Sequence, residues 1–118
     1  MRAWVLFLLA GCSHWQQTEL FFGLDRPGGS VSAVEWQKFV DDDAMRLLPE
    51  GFTVVDGQGH WRDPKGAITR EPSHLLLVLH PATRAYDGAI EELRRLYARR
   101  FQQQSVLRAD WCARVRFK

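Results

Sequence analysis

Cysteine is scarce in this chain, with Cys12 and Cys112 the two among 118 residues. So low a count excludes a disulfide-stapled miniature fold and a zinc site of the C-x-x-C type. Long apolar runs are missing too: the best, Ala3 to Ala10, falls far short of the roughly 20 residues a membrane-spanning helix needs. Net charge is only +2, which gives no field for nucleic acid. Internal repeats, low-complexity tracts and long linkers are absent as well. What is present is ordinary: 46% hydrophobic and 25% charged residues, the balance of one globular domain with a single core.

The N-terminus has the order of a secretory signal. Arg2 supplies a basic end, Ala3 to Ala10 an apolar centre, and small residues follow up to Cys12. Leu9-Ala10-Gly11-Cys12 resembles a bacterial lipobox, in which the cysteine is acylated and the chain is cut before it. A first β-strand that contains a cysteine is the competing reading. The lipobox implies a signal peptide over residues 1–11, a short tether over 12–17 and one domain over 18–118. It also implies a membrane partner through the N-terminal lipid on Cys12, in the cell envelope and facing the periplasm. Ser13 in place of a retaining aspartate favours the outer membrane. Once the signal is gone, charge is lopsided: six basic against ten acidic residues between Cys12 and Thr83, nine against four from Arg84 to Lys118.

Periodicity gives the elements. "TELFFGL" has strand composition and ends at the turn cluster "DRPGG". Ser32 and Glu35 form a capping box, and Trp36, Phe39, Val40, Ala44 and Leu47 continue one amphipathic helix. "GFTVVDGQGHW" and "AITREPSHLLLVLHP" flank the turn "DPKG" as a hairpin, with Leu75 to Leu79 apolar throughout. A second amphipathic helix runs from about Arg84 to Phe101. Strict alternation from Leu107 to Lys118 marks a last strand. The expected fold class is α+β, a ferredoxin-like β-α-β-β-α-β domain with a four-stranded antiparallel sheet and two helices on one face. An up-and-down α+β meander is the alternative.

The succession "ELFFGL", "RPGG", "VEWQKF", "LPEGFTVVDGQGHW", "REPSHLLLVLHP" and "QQSVLRAD" resembles the bacterial family catalogued as domain of unknown function 3574. The resemblance covers roughly Thr18 to Asp110. It implies an exported or lipid-anchored protein and brings no activity, substrate or catalytic residues.

Sites of recognisable chemistry are few. Gly57-Gln58-Gly59 lacks the third glycine and the helix of a dinucleotide fingerprint. His74 and His80 lie six residues apart on one strand, roughly 20 Å, and cannot share a metal; no metal and no cofactor are expected. Asp41-Asp42-Asp43 fans around a helix face and is expected in solvent. Cys112 stands among Arg108, Asp110 and Arg114, a setting that lowers a thiol pKa, with no histidine placed as its base. The hairpin collects His60, Trp61, Arg62 and Glu71 as a candidate recognition group.

The favoured function is therefore a non-catalytic binding or interaction domain of the cell envelope. The alternative is a small cofactor-free enzyme with a cavity between paired ferredoxin-like sheets. Alternation assigns Leu20, Phe22, Leu24, Leu75, Leu77, Leu79, Leu107, Ala109 and Trp111 to the helix side. Phe21, Val55, Leu76, Val78 and Val106 then fall on an open face, expected to form a homodimer.

Overall fold

The computed structural model describes residues 14–118. The expected signal peptide, Cys12 and Ser13 lie outside the described residues. Strand β1 (Trp15–Gly23) is followed by a two-stranded ribbon of β2 (Asp25–Arg26) and β3 (Gly29–Ser30). Next come α1 (Ala33–Phe39), a π-helical turn (Val40–Ala44) and α2 (Met45–Leu47). The hairpin of β4 (Thr53–Arg62) and β5 (Ile68–Pro81), the long helix α3 (Arg84–Arg100) and β6 (Leu107–Ala113) complete the chain. Four strands form one sheet in the order β4-β5-β1-β6, every neighbouring pair antiparallel. This is the expected α+β arrangement. β1 takes in Trp15 to Gln17, three residues of the segment read as a tether.

Local chemistry explains where the helices begin. Ser32 accepts a hydrogen bond from the Glu35 amide at 3.1 Å, and the Glu35 carboxylate accepts one from the Ser32 amide at 2.9 Å, closing the expected capping box. Thr83 caps α3 by accepting from the Tyr86 amide at 3.2 Å. The first helical stretch departs from the expected uninterrupted α-helix. Its π-helical turn inserts an extra residue into the ladder, and this rotates Asp43 inward beside Ala44. Buried there, Asp43 accepts from Arg100 and pairs with Arg46 at 3.5 Å. The guanidinium of Arg100 holds the Asp43 carboxyl below the usual aspartate range. Only Asp41 and Asp42 of the acidic run are in solvent.

The core is built on β1. Thr18, Leu20 and Phe22 are fully buried and alternate with half-buried residues. Phe22 lies at the centre of an aromatic group, 4.7 Å from Tyr97, 5.2 Å from Trp36 and 5.8 Å from Phe39 between ring centroids. Tilted and edge-on pairs of this kind contribute about 0.5–1.5 kcal/mol each beyond burial. The Tyr97 hydroxyl donates to the Gly23 carbonyl at 2.6 Å, and burial raises its pKa far above the usual tyrosine value.

On β5 and β6 the faces are the reverse of the expectation. Leu76, Val78 and His80 point to the helices, and Leu75, Leu77 and Leu79 point away. The register requires this, because Leu20 pairs with Leu76 and Thr18 with Val78, and paired residues share a face. Leu75 to Leu79 carries no alternation of its own to set the parity. On β6, Leu107 and Trp111 are 61% and 49% exposed, and Arg108 and Asp110 face the helix side opposite Leu20 and Thr18. Helix α3 covers that edge with Asp87 and Glu91, so the charged row of β6 is the one with partners inside. The strand ends at Ala113, short of the expected Lys118.

Beyond Gly23 and Ser73, where the β1–β5 pairing stops, β4 and β5 continue as a two-stranded arm from Gln58–Pro72 to Arg62–Ile68. Its tip is closed by Asp63, whose carboxylate accepts from the amides of Lys65 and Ala67 at 2.8 and 2.9 Å. Gly66 supplies the positive φ of 88° that the turn needs.

Replacing Tyr97 by Phe leaves the Gly23 carbonyl without its donor, and denaturant unfolding should show a loss of about 1–3 kcal/mol with an unchanged m-value. An unfolding midpoint equal to that of the native chain would show that solvent satisfies this carbonyl.

Candidate functional site

The candidate recognition residues sit on the arm, and alternation divides them. His60 and Arg62 lie on one side, Trp61 and the Gly59-paired Glu71 on the other. His60 approaches the Gln58 carbonyl at 3.2 Å, and Arg62 donates to the Gly66 carbonyl at 2.9 Å. Trp61 is half exposed. No hydrogen bond joins the four to one another among the described residues. Gly57 is tight against β5, since a Cβ there would meet Leu75 Cδ1 at 3.0 Å. That glycine therefore serves close strand packing.

Cys112 is disulfide-bonded, so its sulfur is not available as the reactive thiolate considered from its neighbours. His74 stacks on Trp36 at 4.3 Å and pairs with Asp56 at 2.7 Å. Among the described residues no three His, Cys, Asp or Glu side chains are grouped so as to hold a metal ion.

A different group of residues is brought together at the other end of the sheet. A cleft of about 650 Å³ opens where α3 begins beside the β6 edge, lined among others by Gln16, Arg84, Asp87, Arg108 and Asp110. Asp110, on its lining, is joined to β1. The Thr18 hydroxyl donates to Asp110 Oδ1 at 2.6 Å and lies 2.8 Å from His80 Nε2. His80 is 1% exposed, stacks on Tyr86 at 5.0 Å, and holds the Pro81 carbonyl with Nδ1 at 2.8 Å. The stacked Tyr86 donates to Glu50, which together with burial pushes its pKa up to about 12.

Arg108 ties the cleft wall together. Its guanidinium, 12% exposed, reaches Asp87 and Glu91 at 2.8 Å and Asp110 at 3.1 Å. Arg94 adds two bonds to the Val106 carbonyl and one to each Glu91 oxygen. Hydrogen bonding from Arg108, then from Arg94, lowers the Glu91 pKa against the opposing effect of burial. Sequence inspection missed this group because its members are far apart in the chain: Thr18 is 62 residues from His80 and 92 from Asp110. Period-two spacing of His74, Leu76, Val78 and His80 was the one available sign that His80 joins the buried row.

With the fold and the cleft described, relationships to known proteins can be placed. The family model described as protein of unknown function (DUF3574) matches residues 17–117. The chain belongs to the DUF3574 family. No curated protein sequence matches it. Among solved structures, the DUF3574 chain is similar to a phage SAM lyase in complex with S-methyl-5'-thioadenosine. That match has a TM-score of 0.61 at 18% identity and covers 86% of this chain and 82% of the lyase. The apo state of a phage SAM lyase gives 0.62 at 16%, covering 84% and 81%. CutA from Synechococcus elongatus gives 0.55 at 12%, covering 86% and 78%. At these identities the likeness establishes the ferredoxin-like fold.

The depressed Glu91 pKa fixes a pH dependence. A carboxylate with a lowered folded pKa stabilises the fold fully above its unfolded pKa, about 4.3 for glutamate, and the contribution is lost as pH falls through the folded value. Denaturant unfolding at neutral and acidic pH should therefore show the native chain losing more stability below about pH 4 than Glu91→Gln does. Equal losses would mean that Arg108 and Arg94 do not discriminate the charged form.

Proposed function

We propose that this DUF3574 chain is an exported cell-envelope protein, anchored by lipid on Cys12 and facing the periplasm, that acts as a non-catalytic, self-associating interaction domain. The observation that carries the self-association is the outer face of the sheet. Phe21, Leu75, Leu77, Val55, Leu79, Leu107 and Trp111 share it by register, and the last four are 42–61% exposed. Trp61 on the arm has the same parity and extends the apolar surface past the sheet. A contiguous apolar surface of this kind is what association commonly covers.

A second copy of the chain is the occupant that fits. The outer face carries few charges, with Glu19 and Glu71 placed on it by register, so little desolvation of charge opposes its burial. An isolated two-stranded ribbon is marginal in water, and a partner would support it.

Export draws support from the signal-like N-terminus. A lipid on Cys12 requires Cys112 in its reduced form, because Cys12 is the one other cysteine of the sequence. A sulfur committed to a lipid thioether has none left for a disulfide, so acylation and intrachain pairing with Cys112 exclude each other.

In sedimentation velocity at micromolar concentration the full chain should be dimeric, and Leu79→Asp or Leu107→Asp should give a folded monomer, because both side chains are already in solvent within one copy. A native chain that sediments as a monomer removes the proposed interface. Intact mass should show a diacylglyceryl adduct on Cys12, with Cys12→Ala lost from the membrane fraction. A mass lower by two hydrogens and no adduct would refute the anchor and leave export standing.

A further inference from the structure

The Asp110–Thr18–His80 chain has a proton count that can be worked out from its three hydrogen bonds. The Pro81 carbonyl can only accept, so His80 Nδ1 carries a hydrogen. Thr18 has one hydrogen to give and stands within bonding distance of both His80 Nε2 and Asp110 Oδ1. Two proton placements fill all three bonds. In one, His80 is the imidazolium, Nε2–H donates to Thr18, and Thr18 donates to an ionised Asp110. In the other, Asp110 Oδ1–H donates to Thr18, and Thr18 donates to Nε2 of a neutral His80. Removing that proton altogether leaves one of the three contacts without a hydrogen, a costly state at a buried ring. The chain thus holds one proton that can sit at either end.

The two ends differ in what they face. His80 is enclosed by Thr18 of β1, Tyr86 of α3 and its own strand. Asp110 faces the cleft, with Arg108 on it, Asp87 and Glu91 beyond, and Arg84 at the mouth. The Arg84 side chain makes no ion pair or hydrogen bond among the described residues, although Arg84 is the first residue of α3. An anion entering the cleft meets Arg84 and Arg108 favourably and the carboxylates of Asp87, Glu91 and Asp110 unfavourably, and of these three Asp110 is the one joined to a proton donor within the fold.

We propose that this cleft is a binding site for a small organic carboxylate, and that binding moves the proton from His80 to Asp110 through Thr18. The His80 Nε2–H bond breaks with its electron pair left on nitrogen. Thr18 takes that hydrogen and passes its own to Asp110 Oδ1. No proton enters or leaves. Asp110 loses its charge, and the ligand carboxylate replaces it as counter-ion to Arg108 while engaging Arg84. This site lies on the helix side of the sheet and is independent of the proposed outer-face dimer.

The test is imidazole 15N NMR of the full chain titrated with acetate. In the free chain both His80 ring nitrogens should be protonated, and acetate should convert Nε2 to the unprotonated form with loss of its N–H signal. Thr18→Ser should behave as the native chain. Thr18→Val should bind acetate, seen in the Arg84 and Asp110 backbone amides, with no change at His80. If acetate leaves His80 unchanged in the native chain, or if Thr18→Val responds equally, the proton path is wrong. If sodium chloride at matched ionic strength reproduces the shift, or the cleft amides do not move, there is no carboxylate site.

Discussion

The alternation of β1 is the constraint on which everything else rests. As a central strand it is paired on both sides, so the side chains of Thr18, Leu20 and Phe22 fix the faces of β5 and β6 by register. Phe22 then decides the helix positions, since Trp36, Phe39 and Tyr97 all close on its ring. Thr18 decides the polar end of the same row, where β5 offers His80 and β6 offers Asp110. One period-two pattern thus sets the aromatic core at Phe22 and the buried polar chain at Thr18 on a single face, with Leu20 between them.

Both helices and all four main strands were legible in the sequence, because caps and periodicity are local signals. Ser32 with Glu35 marks a helix start without reference to the rest of the chain. The faces were less legible. Leu75 to Leu79 is apolar at every position, so only its partners on β1 distinguish inside from outside. Leu107 to Ala113 alternates cleanly yet misleads, because its buried row is the charged one. Arg108 satisfies Asp87, Glu91 and Asp110 together, and alternation alone cannot anticipate a helix bearing two carboxylates above an edge strand. The π-helical turn was hidden for a related reason: the acidic run reads as solvent-exposed until Arg100, far along the chain, gives Asp43 a buried partner.

The two sides of the sheet therefore divide their roles in an unusual way. Polar groups at the β6 edge are consumed within the fold, and no buried side-chain nitrogen or oxygen lacks a partner among the described residues. Apolar groups are left over on the outer face, from Leu107 and Trp111 across to Leu79 and Val55. The charged row of β6 is thus the inner one and its apolar row the outer one, the reverse of the usual arrangement on an edge strand.

The cleft draws Gln16 and Thr18 from one end of the chain, His80 and Arg84 from its middle and Asp110 from the other end. Closing a loop of 92 residues is a late event in any folding sequence, since its entropy must be met before the contact gives anything back. The β4–β5 hairpin and the two helices can form while the chain is incomplete; the cleft cannot. A partly synthesised chain would therefore display folded pieces before the cleft exists, and closure of the cleft reports that β6 has joined β1.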